Sequence, residues 1–133
     1  MIPQRLAEKF RIDLSGCWTW QAAQTGKGYG GTWFRGKRYR AHRLLYELLR
    51  GPIPAGMTID HLCRNRLCVN PEHCEIVTMR ENTLRGIGPS AQHAKKTHCP
   101  RGHEYDLLNT RIGHHNARHC RECEKTRDAG RKR

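Results

Sequence analysis

The segment IDHLCRNRLCVNPEHCEIVTMRENTLRG, residues 59–86, contains most of the features that decide the fold. Alternation and β-branched residues predict a short strand over Met57–Asp60 and a second strand over Glu75–Val77. A capping-box sequence that begins at Thr78 predicts a helix over residues 79–85, ended by the glycine that follows it. The expected order of elements is therefore strand, loop, strand and helix.

The polar residues of this segment follow a pattern with fixed gaps: Asp60-His61, then Cys63, Cys68 and His73, then Asn82. This pattern resembles that of the HNH nucleases, specifically the His-Cys box homing endonucleases and the phage HNH proteins that share a zinc-stapled ββα-metal core. The close resemblance covers residues 59–86, and a looser one extends to both groups of cysteines. It implies an α+β fold with a small antiparallel sheet, a ββα-metal core and a C-terminal zinc-binding module.

The resemblance also implies roles for individual residues. His61 would activate water, and Asp60 with Asn82 would bind the divalent metal that contacts the scissile phosphate. The chain departs from plain HNH proteins at His73-Cys74, where those proteins usually have an asparagine followed by a leucine. In the His-Cys box type this histidine is a zinc ligand.

The chemistry of phosphodiester hydrolysis explains these residue types. A neutral imidazole with a pKa of about 6.5 can take a proton from water at pH 7, which makes His61 the candidate general base. Mg²⁺ (or Mn²⁺) prefers oxygen ligands and is typically held by one or two protein oxygens, which Asp60 and the amide of Asn82 can supply. The second ring nitrogen of His61 needs an acceptor to orient it, either the carbonyl of Cys68 or the side chain of Asn70.

The spacing Cys63-x₄-Cys68-x₄-His73 provides three ligands of a structural zinc ion around one loop. The fourth ligand must come from elsewhere, and Cys17, just before a Trp-x-Trp sequence, is the preferred candidate. Cys74 is the alternative.

A second group of ligands follows in Cys99-x₃-His103 and Cys120-x₂-Cys123, the arrangement of a closed tetrahedral zinc site. His98 and His119 flank these ligands and are alternatives to His103. Such a site would fold a segment too short to fold alone. The chain is therefore expected to hold two structural Zn²⁺ ions and one catalytic Mg²⁺.

The charge of the chain indicates a polyanionic partner. Lys and Arg number 25 against 12 acidic residues, giving a net charge of +13. Double-stranded DNA is the expected partner, since no amphipathic helix with a wide apolar face argues for a membrane. The N-terminal residues have no apolar run resembling a secretory signal, so a cytoplasmic location is expected, in the host cell if the protein is phage-encoded.

Basic residues near the predicted sheet, the zinc loop and the metal helix are the candidate DNA contacts. They are Arg35, Lys37, Arg38, Arg40, His42, Arg43, Arg64, Arg66, Arg80 and Arg85. Phosphate neutralisation by such residues should supply most of the affinity.

The remainder of the chain is expected to be organised around this core. Residues 1–56 are predicted to form an N-terminal unit that faces DNA, with a leading helix or arm, a three-stranded antiparallel sheet and a helix over His42–Arg50. The catalytic core follows at residues 57–86. After it we expect a linker over 87–97, a zinc module over 98–124 and a basic tail over 125–133 that is disordered when free; Trp18, Trp20, Trp33 and Tyr39 are expected in the core.

Two other functions share part of this evidence. A zinc-containing DNA-binding regulator without catalysis would have both clusters and the charge, but it would not need Asp60, His61 and Asn82. A phage packaging or structural protein could use the same nuclease chemistry within a larger machine. One chain contains one candidate active site, so a double-strand cut needs two chains or two visits, and the resemblance favours a homodimer.

Overall fold

A computed structural model describes residues 1–131 of the chain, and the side chains of residues 1–130. The chain divides into two compact units, Met1–Gly86 and a second unit that begins at Ile87. Both units combine short helices with two-stranded antiparallel sheets, so the predicted α+β class is confirmed. Within residues 1–131, no helix has the length and apolar character needed to cross a membrane.

The first unit contains three helices and six strands. In chain order these are α1 (Gln4–Ala7), β1 (Phe10–Ile12), β2 (Trp18–Trp20), β3 (Gly31–Phe34), β4 (Lys37–Arg40), α2 (Ala41–Arg50), β5 (Met57–His61), β6 (Cys74–Thr78) and α3 (Met79–Arg85). A single 3₁₀ turn, Pro71–His73, precedes β6.

The expected three-stranded sheet is wrong, because β2 pairs with β1 while β3 pairs only with β4. Phe10 of β1 stacks on Trp18 of β2 with ring centroids 5.0 Å apart, which favours this pairing. The backbone N–H of Trp20 donates to the Leu67 carbonyl at 2.8 Å, and that of Val69 donates to the Trp18 carbonyl at 2.8 Å. Leu67 and Val69 belong to the loop between β5 and β6, residues 62–73, which is called the zinc loop because it contains three candidate zinc ligands. The backbone of this loop therefore occupies the second edge of β2 and excludes β3 from it.

The core of the first unit forms where α1, β2 and α2 meet. Its fully buried members include Leu6, Trp20, Leu45 and Val69. Trp33 was expected in this core but is 65% exposed, because it lies on the outer face of β3.

The β5–β6–α3 segment has the predicted strand, loop, strand and helix order. The strands pair antiparallel with His61 opposite Cys74 and Asp60 opposite Glu75. The capping box is complete at the start of α3, where Thr78 accepts from the Glu81 N–H at 3.1 Å and Glu81 accepts from the Thr78 N–H at 2.9 Å. This reciprocal cap fixes where the helix begins relative to β6.

The second unit contains α4 (Pro89–Lys95), β7 (Thr110–Ile112), β8 (Arg118–Cys120) and α5 (Arg121–Arg131). The expectation of a linker over 87–97 is wrong: Pro89 begins α4 and Ala91 is buried. Arg118 donates to carbonyl groups at the end of α4, which holds the helix against the unit.

The basic tail expected from residue 125 onward is helical as far as residue 131, since α5 starts before it at Arg121 and continues through it. Residues 132 and 133 lie outside the described residues.

Gly30 allows the loop that leads into β3 to pack closely on Trp20. A Cβ at Gly30 would lie 2.7 Å from Trp20 Cδ1 and 3.1 Å from the Ala41 Cβ. Because Trp20 is fully buried, we expect Gly30→Ala to lower the free energy of unfolding by about 1–3 kcal/mol. Chemical denaturation measures this loss.

Gly26→Ala is the matched control, because nothing lies within 4 Å of a Cβ at Gly26. Equal stability of the two variants would contradict the packing assigned to Gly30.

Candidate active site and metal clusters

Two of the candidate catalytic side chains lie at the end of β5. Asp60 and His61 are both buried, as is Ile59 before them. The strand is held by β6, and the loop that follows returns over His61 to pair Cys68 with Thr19. This return brings a backbone carbonyl to the histidine ring.

His61 Nε2 lies 3.0 Å from the carbonyl oxygen of Cys68. A carbonyl oxygen can only accept, so the proton of the neutral imidazole is on Nε2 and the lone pair is on Nδ1. Burial lowers the pKa of His61 below its ordinary value, against the opposing effects of the Cys68 carbonyl and Asp60. The ring is therefore neutral at pH 7, with a defined tautomer and a basic nitrogen that the carbonyl does not occupy.

His42 packs against the His61 ring, with centroids 4.7 Å apart in an edge-to-face arrangement. It was expected to contact DNA, but it is buried on the inner side of α2, so that assignment is corrected. Burial, followed by the nearby His61, Arg40 and Arg43, lowers the pKa of His42 to about 3. A second neutral imidazole thus forms one wall of the site.

Tyr29 forms the other wall, and sequence reasoning did not identify it. Its ring centroid lies 5.2 Å from that of His42 and 6.0 Å from that of His61. The guanidinium groups of Arg40 and Arg66 lie 5.1 Å and 5.6 Å from the same ring centroid. The available signal was an aromatic residue within a glycine-rich loop, a segment type that often carries functional groups.

The Asp60 carboxylate is contacted by two arginines. Arg64 Nη1 lies 2.8 Å from Oδ1, and Arg85 Nη1 lies 3.6 Å from Oδ2. Arg85 also donates to Glu75 Oε2 at 2.5 Å. Oδ2 is buried and has no hydrogen-bond partner within the described part of the chain, so one carboxylate oxygen retains a free ligand position.

Asn82 lies on α3, one turn before Arg85, and is half-buried. Residues three apart share a helix face, so Asn82 and Arg85 are on the side of α3 that reaches Asp60. Among residues 1–131, no hydrogen bond engages the Asn82 side chain, which leaves its amide oxygen free.

The first cysteine and histidine cluster is assembled from two separate parts of the unit. Its members are Cys17, Cys63, Cys68 and His73, whose ligand atoms all lie within 4.8 Å of one another. His73 Nδ1 lies 3.4 Å from Cys17 Sγ and 3.7 Å from Cys68 Sγ. Zn–S bonds are about 2.3 Å long and Zn–N bonds about 2.0 Å long, so the ligand atoms of a tetrahedral zinc ion lie roughly 3.5–3.8 Å from one another. The cluster has the donor types and spacing of a structural zinc site.

The thiols of this cluster differ in their electrostatics. A hydrogen bond from Ser15 is the main cause that lowers the pKa of Cys17 to about 7, whereas burial raises the pKa of Cys68 to about 12. A buried thiol of that kind becomes a thiolate only beside a cation. Cys74, the alternative ligand, lies outside the group, and burial raises its pKa to about 12.

Asn70 joins the two parts of the first cluster. It does not orient His61; instead its Nδ2 donates to the Gly16 carbonyl at 2.9 Å and its Oδ1 accepts from the Glu72 N–H at 3.0 Å. Gly16, at φ 79°, lies in the turn before Cys17. The Asn70 amide therefore connects the zinc loop with the turn that carries the distant cysteine.

Comparison with known proteins identifies the segment around this site. Residues 39–84 match the family model described as HNH endonuclease. This segment is therefore similar to HNH endonuclease domains. Its bounds include every candidate catalytic residue, three ligands of the first cluster and His42, whereas Cys17 and Tyr29 precede it.

Similar proteins occur in bacteriophages. The chain is 37% identical to Protein 2.8 of Escherichia phage T7 over 92 residues, 68% of this chain and 63% of that protein. It is 36% identical to Protein 7.7 of the same phage over 70 residues, 53% of this chain and 54% of that protein. A gene 5.3 protein of Enterobacteria phage T3, described as uncharacterized, is 41% identical over 49 residues, 37% of this chain and 48% of that protein.

The chain thus spans about half to two-thirds of the length of these relatives. No solved structure matches the chain.

The second cluster lies in the second unit, outside the segment that matches the HNH family model. It consists of Cys99, His103, Cys120 and Cys123. His103 Nδ1 lies 3.5 Å from the sulfur atoms of Cys99 and Cys120 and 3.3 Å from that of Cys123. The separations again match a tetrahedral zinc ion. The alternatives His98 and His119 are outside this group.

Most of the basic residues proposed to contact DNA are accessible. Eight are exposed, namely Arg35, Lys37, Arg38, Arg40, Arg64, Arg66, Arg80 and Arg85, while Arg43 is half-buried. Arg64 and Arg85 also pair with Asp60, so their side chains contact the candidate site as well.

Proposed function

We propose that this protein is a metal-dependent endonuclease that hydrolyses phosphodiester bonds of double-stranded DNA. The observation that carries the proposal is the bond between His61 Nε2 and the Cys68 carbonyl, which leaves Nδ1 as a free base on the residue that follows the buried Asp60 in β5. The match of residues 39–84 to the HNH endonuclease family model supports this interpretation of the site.

In the proposed reaction His61 Nδ1 accepts a proton from a water molecule. The water oxygen forms a bond to the phosphorus atom, the bond from phosphorus to the 3′ oxygen breaks, and that oxygen takes up a proton from solvent water. The imidazolium that results keeps its hydrogen bond to the Cys68 carbonyl, and Asp60 lies next to it in the chain, so the positive charge is stabilised. His42 and Tyr29 limit the orientations open to the ring.

Asp60 and Asn82 are the residues that would hold a divalent cation, Mg²⁺ or Mn²⁺. A free carboxylate oxygen and a free amide oxygen fit the preference of these ions for a few hard oxygen ligands. When bound, the cation supplies positive charge to the scissile phosphate and to the departing oxygen.

The two cysteine and histidine clusters are proposed to hold structural Zn²⁺. Four protein ligands close a tetrahedral site and leave no position for water, so neither ion would take part in the reaction. The first ion would connect the β2 region with the loop whose Cys68 carbonyl orients His61.

DNA binding is assigned to the exposed basic residues of the first unit. The second unit adds positive charge, because its 11 Lys and Arg residues exceed its 5 acidic residues by six. Each phosphate contact contributes to the salt dependence of binding, so affinity should fall steeply as salt rises. Cleavage of both strands would require two chains, or two successive binding events by one chain. We expect a homodimer if the protein makes a double-strand break.

The phage relatives support a phage setting for this activity, in homing or in packaging. A DNA-binding regulator without catalysis is the competing function, because both clusters and the net charge fit it. The free base on His61 and the buried carboxylate of Asp60 favour the nuclease, since a regulator needs neither group.

The test is incubation of the zinc-loaded protein with supercoiled plasmid, with and without Mg²⁺. We expect open-circular or linear DNA only when Mg²⁺ is present, and the order in which these products form separates nicking from paired cuts. Tight binding that leaves the plasmid supercoiled in both conditions would replace the nuclease with the regulator.

Asn82→Ala is expected to weaken metal binding and slow cleavage at limiting Mg²⁺, with part of the loss recovered at higher Mg²⁺. The reason is that the variant removes one of two protein oxygens available to the cation. The rate of plasmid cleavage as a function of Mg²⁺ concentration measures the effect.

Thr83→Ala is the control, because among the described residues the Thr83 hydroxyl bonds only to the Met79 carbonyl of its own helix. An Mg²⁺ dependence identical in the Asn82 variant and the unaltered protein would remove Asn82 from the metal site.

A further inference from the structure

The two charges of the Asp60–Arg64 pair differ greatly in their surroundings. The Asp60 side chain is 5% exposed and the Arg64 side chain is 56% exposed, although Nη1 and Oδ1 are 2.8 Å apart. The carboxylate is therefore held inside the domain, while the arginine covers it from the surface and is free to leave.

The backbone at Arg64 directs this arginine toward Asp60. Its φ is 58°, a left-handed conformation that is uncommon for any residue other than glycine. Its N–H donates to the His61 carbonyl at 3.1 Å, directly after the cluster residue Cys63. The turn folds the chain back on β5, and this places the guanidinium over the carboxylate.

The neighbouring charges distinguish Arg64 from Arg85. Arg85 is bound to Glu75 at 2.5 Å, and Glu75 faces Asp60 across the sheet, so Arg85 has a carboxylate of its own. Within the described residues, Asp60 is the only acidic partner of Arg64. A divalent cation at Asp60 would place two positive charges beside the Arg64 guanidinium, and the low exposure of Asp60 would make this repulsion strong.

We propose that Arg64 is an exchangeable counterion, which neutralises Asp60 before the catalytic cation binds and is released to a DNA phosphate once the cation is present. This inference rests on the metal site of the proposed function. It makes the cation and the DNA backbone cooperative ligands, because each favours the state in which Arg64 has left Asp60. By reciprocity, DNA must raise the affinity for the cation by the same factor.

The first experiment measures Mn²⁺ binding to the zinc-loaded protein without DNA, by electron paramagnetic resonance of the free ion. Arg64→Gln should bind Mn²⁺ more tightly, by roughly tenfold, because the cation no longer competes with a guanidinium. Arg66→Gln is the matched control: Arg66 lies in the same loop but bonds to the Lys27 carbonyl and covers Tyr29. Its Mn²⁺ affinity should stay within about twofold of the unaltered protein, since a more distant exposed charge is screened.

The second experiment measures binding of a short DNA duplex with and without Mn²⁺, in a His61→Ala background to limit cleavage. The gain in DNA affinity on adding Mn²⁺ should be present with Arg64 and lost with Arg64→Gln. With Arg66→Gln the overall affinity falls but the gain is retained.

Equal or weaker Mn²⁺ binding by Arg64→Gln would overturn the exchange, and so would a gain in DNA affinity that survives in this variant. Failure of the nuclease itself is recognised separately. Tighter Mn²⁺ binding by Arg64→Gln without any plasmid cleavage by the unaltered protein would retain the exchange and remove the catalytic assignment. Absence of Mn²⁺ binding to all three proteins would overturn both.

Discussion

Replacement of His61 by alanine is expected to abolish plasmid cleavage, with a rate at least about 10²–10⁴-fold lower, while DNA binding and zinc content are retained. The ring supplies the basic Nδ1, and no other imidazole in the site has an equivalent orienting bond, since His42 Nδ1 is buried without a partner among the described residues. The measurement is the initial rate of loss of supercoiled plasmid at saturating Mg²⁺.

His114→Ala is the control for this variant, because His114 is an exposed histidine of the second unit. Its rate should equal that of the unaltered protein. Cleavage by His61→Ala at an undiminished rate, in a preparation free of contaminating nuclease, would exclude His61 as the base.

Loss of the first zinc site is expected to unfold the first unit. A site of this kind contributes ~10–16 kcal/mol of apparent binding free energy in small zinc-dependent domains, which is comparable to the whole stability of a domain of this size. Cys68 is fully buried, so Cys68→Ser removes a ligand from a position with no access to compensating water. We expect the unaltered protein to hold two zinc ions per chain and this variant to hold one.

The matched control is Cys74→Ala, a buried cysteine that lies outside both clusters. It should keep two zinc ions and lose only the packing of one sulfur atom. Elemental analysis and thermal unfolding followed by circular dichroism measure both variants. A Cys68→Ser protein that keeps two zinc ions and its melting temperature would contradict the ligand assignment.

The zinc chelator experiment separates the two kinds of metal. Removing zinc should unfold the protein, whereas removing Mg²⁺ should stop cleavage with the fold unchanged, because the catalytic cation would contact only two protein side chains. Unfolding on removal of Mg²⁺ alone would argue against this division of roles.

Local sequence patterns predicted the elements over residues 41–86 well. The capping box at Thr78, the strands on either side of the zinc loop and the helix ended by Gly51 are features whose determinants lie within a few residues of one another. Short-range hydrogen bonding and side-chain periodicity suffice for such elements. The ββα order and the positions of Asp60, His61 and Asn82 along it follow from these rules.

Predictions that depended on distant contacts were less successful. The prediction of a three-stranded sheet was wrong because the backbone of the zinc loop pairs with β2. No local sequence pattern near Trp20 indicates this pairing. The expected linker at residues 87–97 is a helix because Ala91 is buried against its own unit and Arg118 binds the end of the helix. Residues of low hydrophobicity form ordered structure when neighbours far along the chain supply the partners.

The sequence by itself determined the chemical types in the site, since the spacing of Asp60, His61 and Asn82 on a strand and a capped helix depends on local rules. Tertiary structure decided which contacts those groups make. It selected the Cys68 carbonyl rather than Asn70 as the partner of His61, buried His42 against the base and placed Arg64 on Asp60. These contacts depend on where the zinc loop returns across β2 and β5, and a returning loop is positioned by the sum of its long-range contacts.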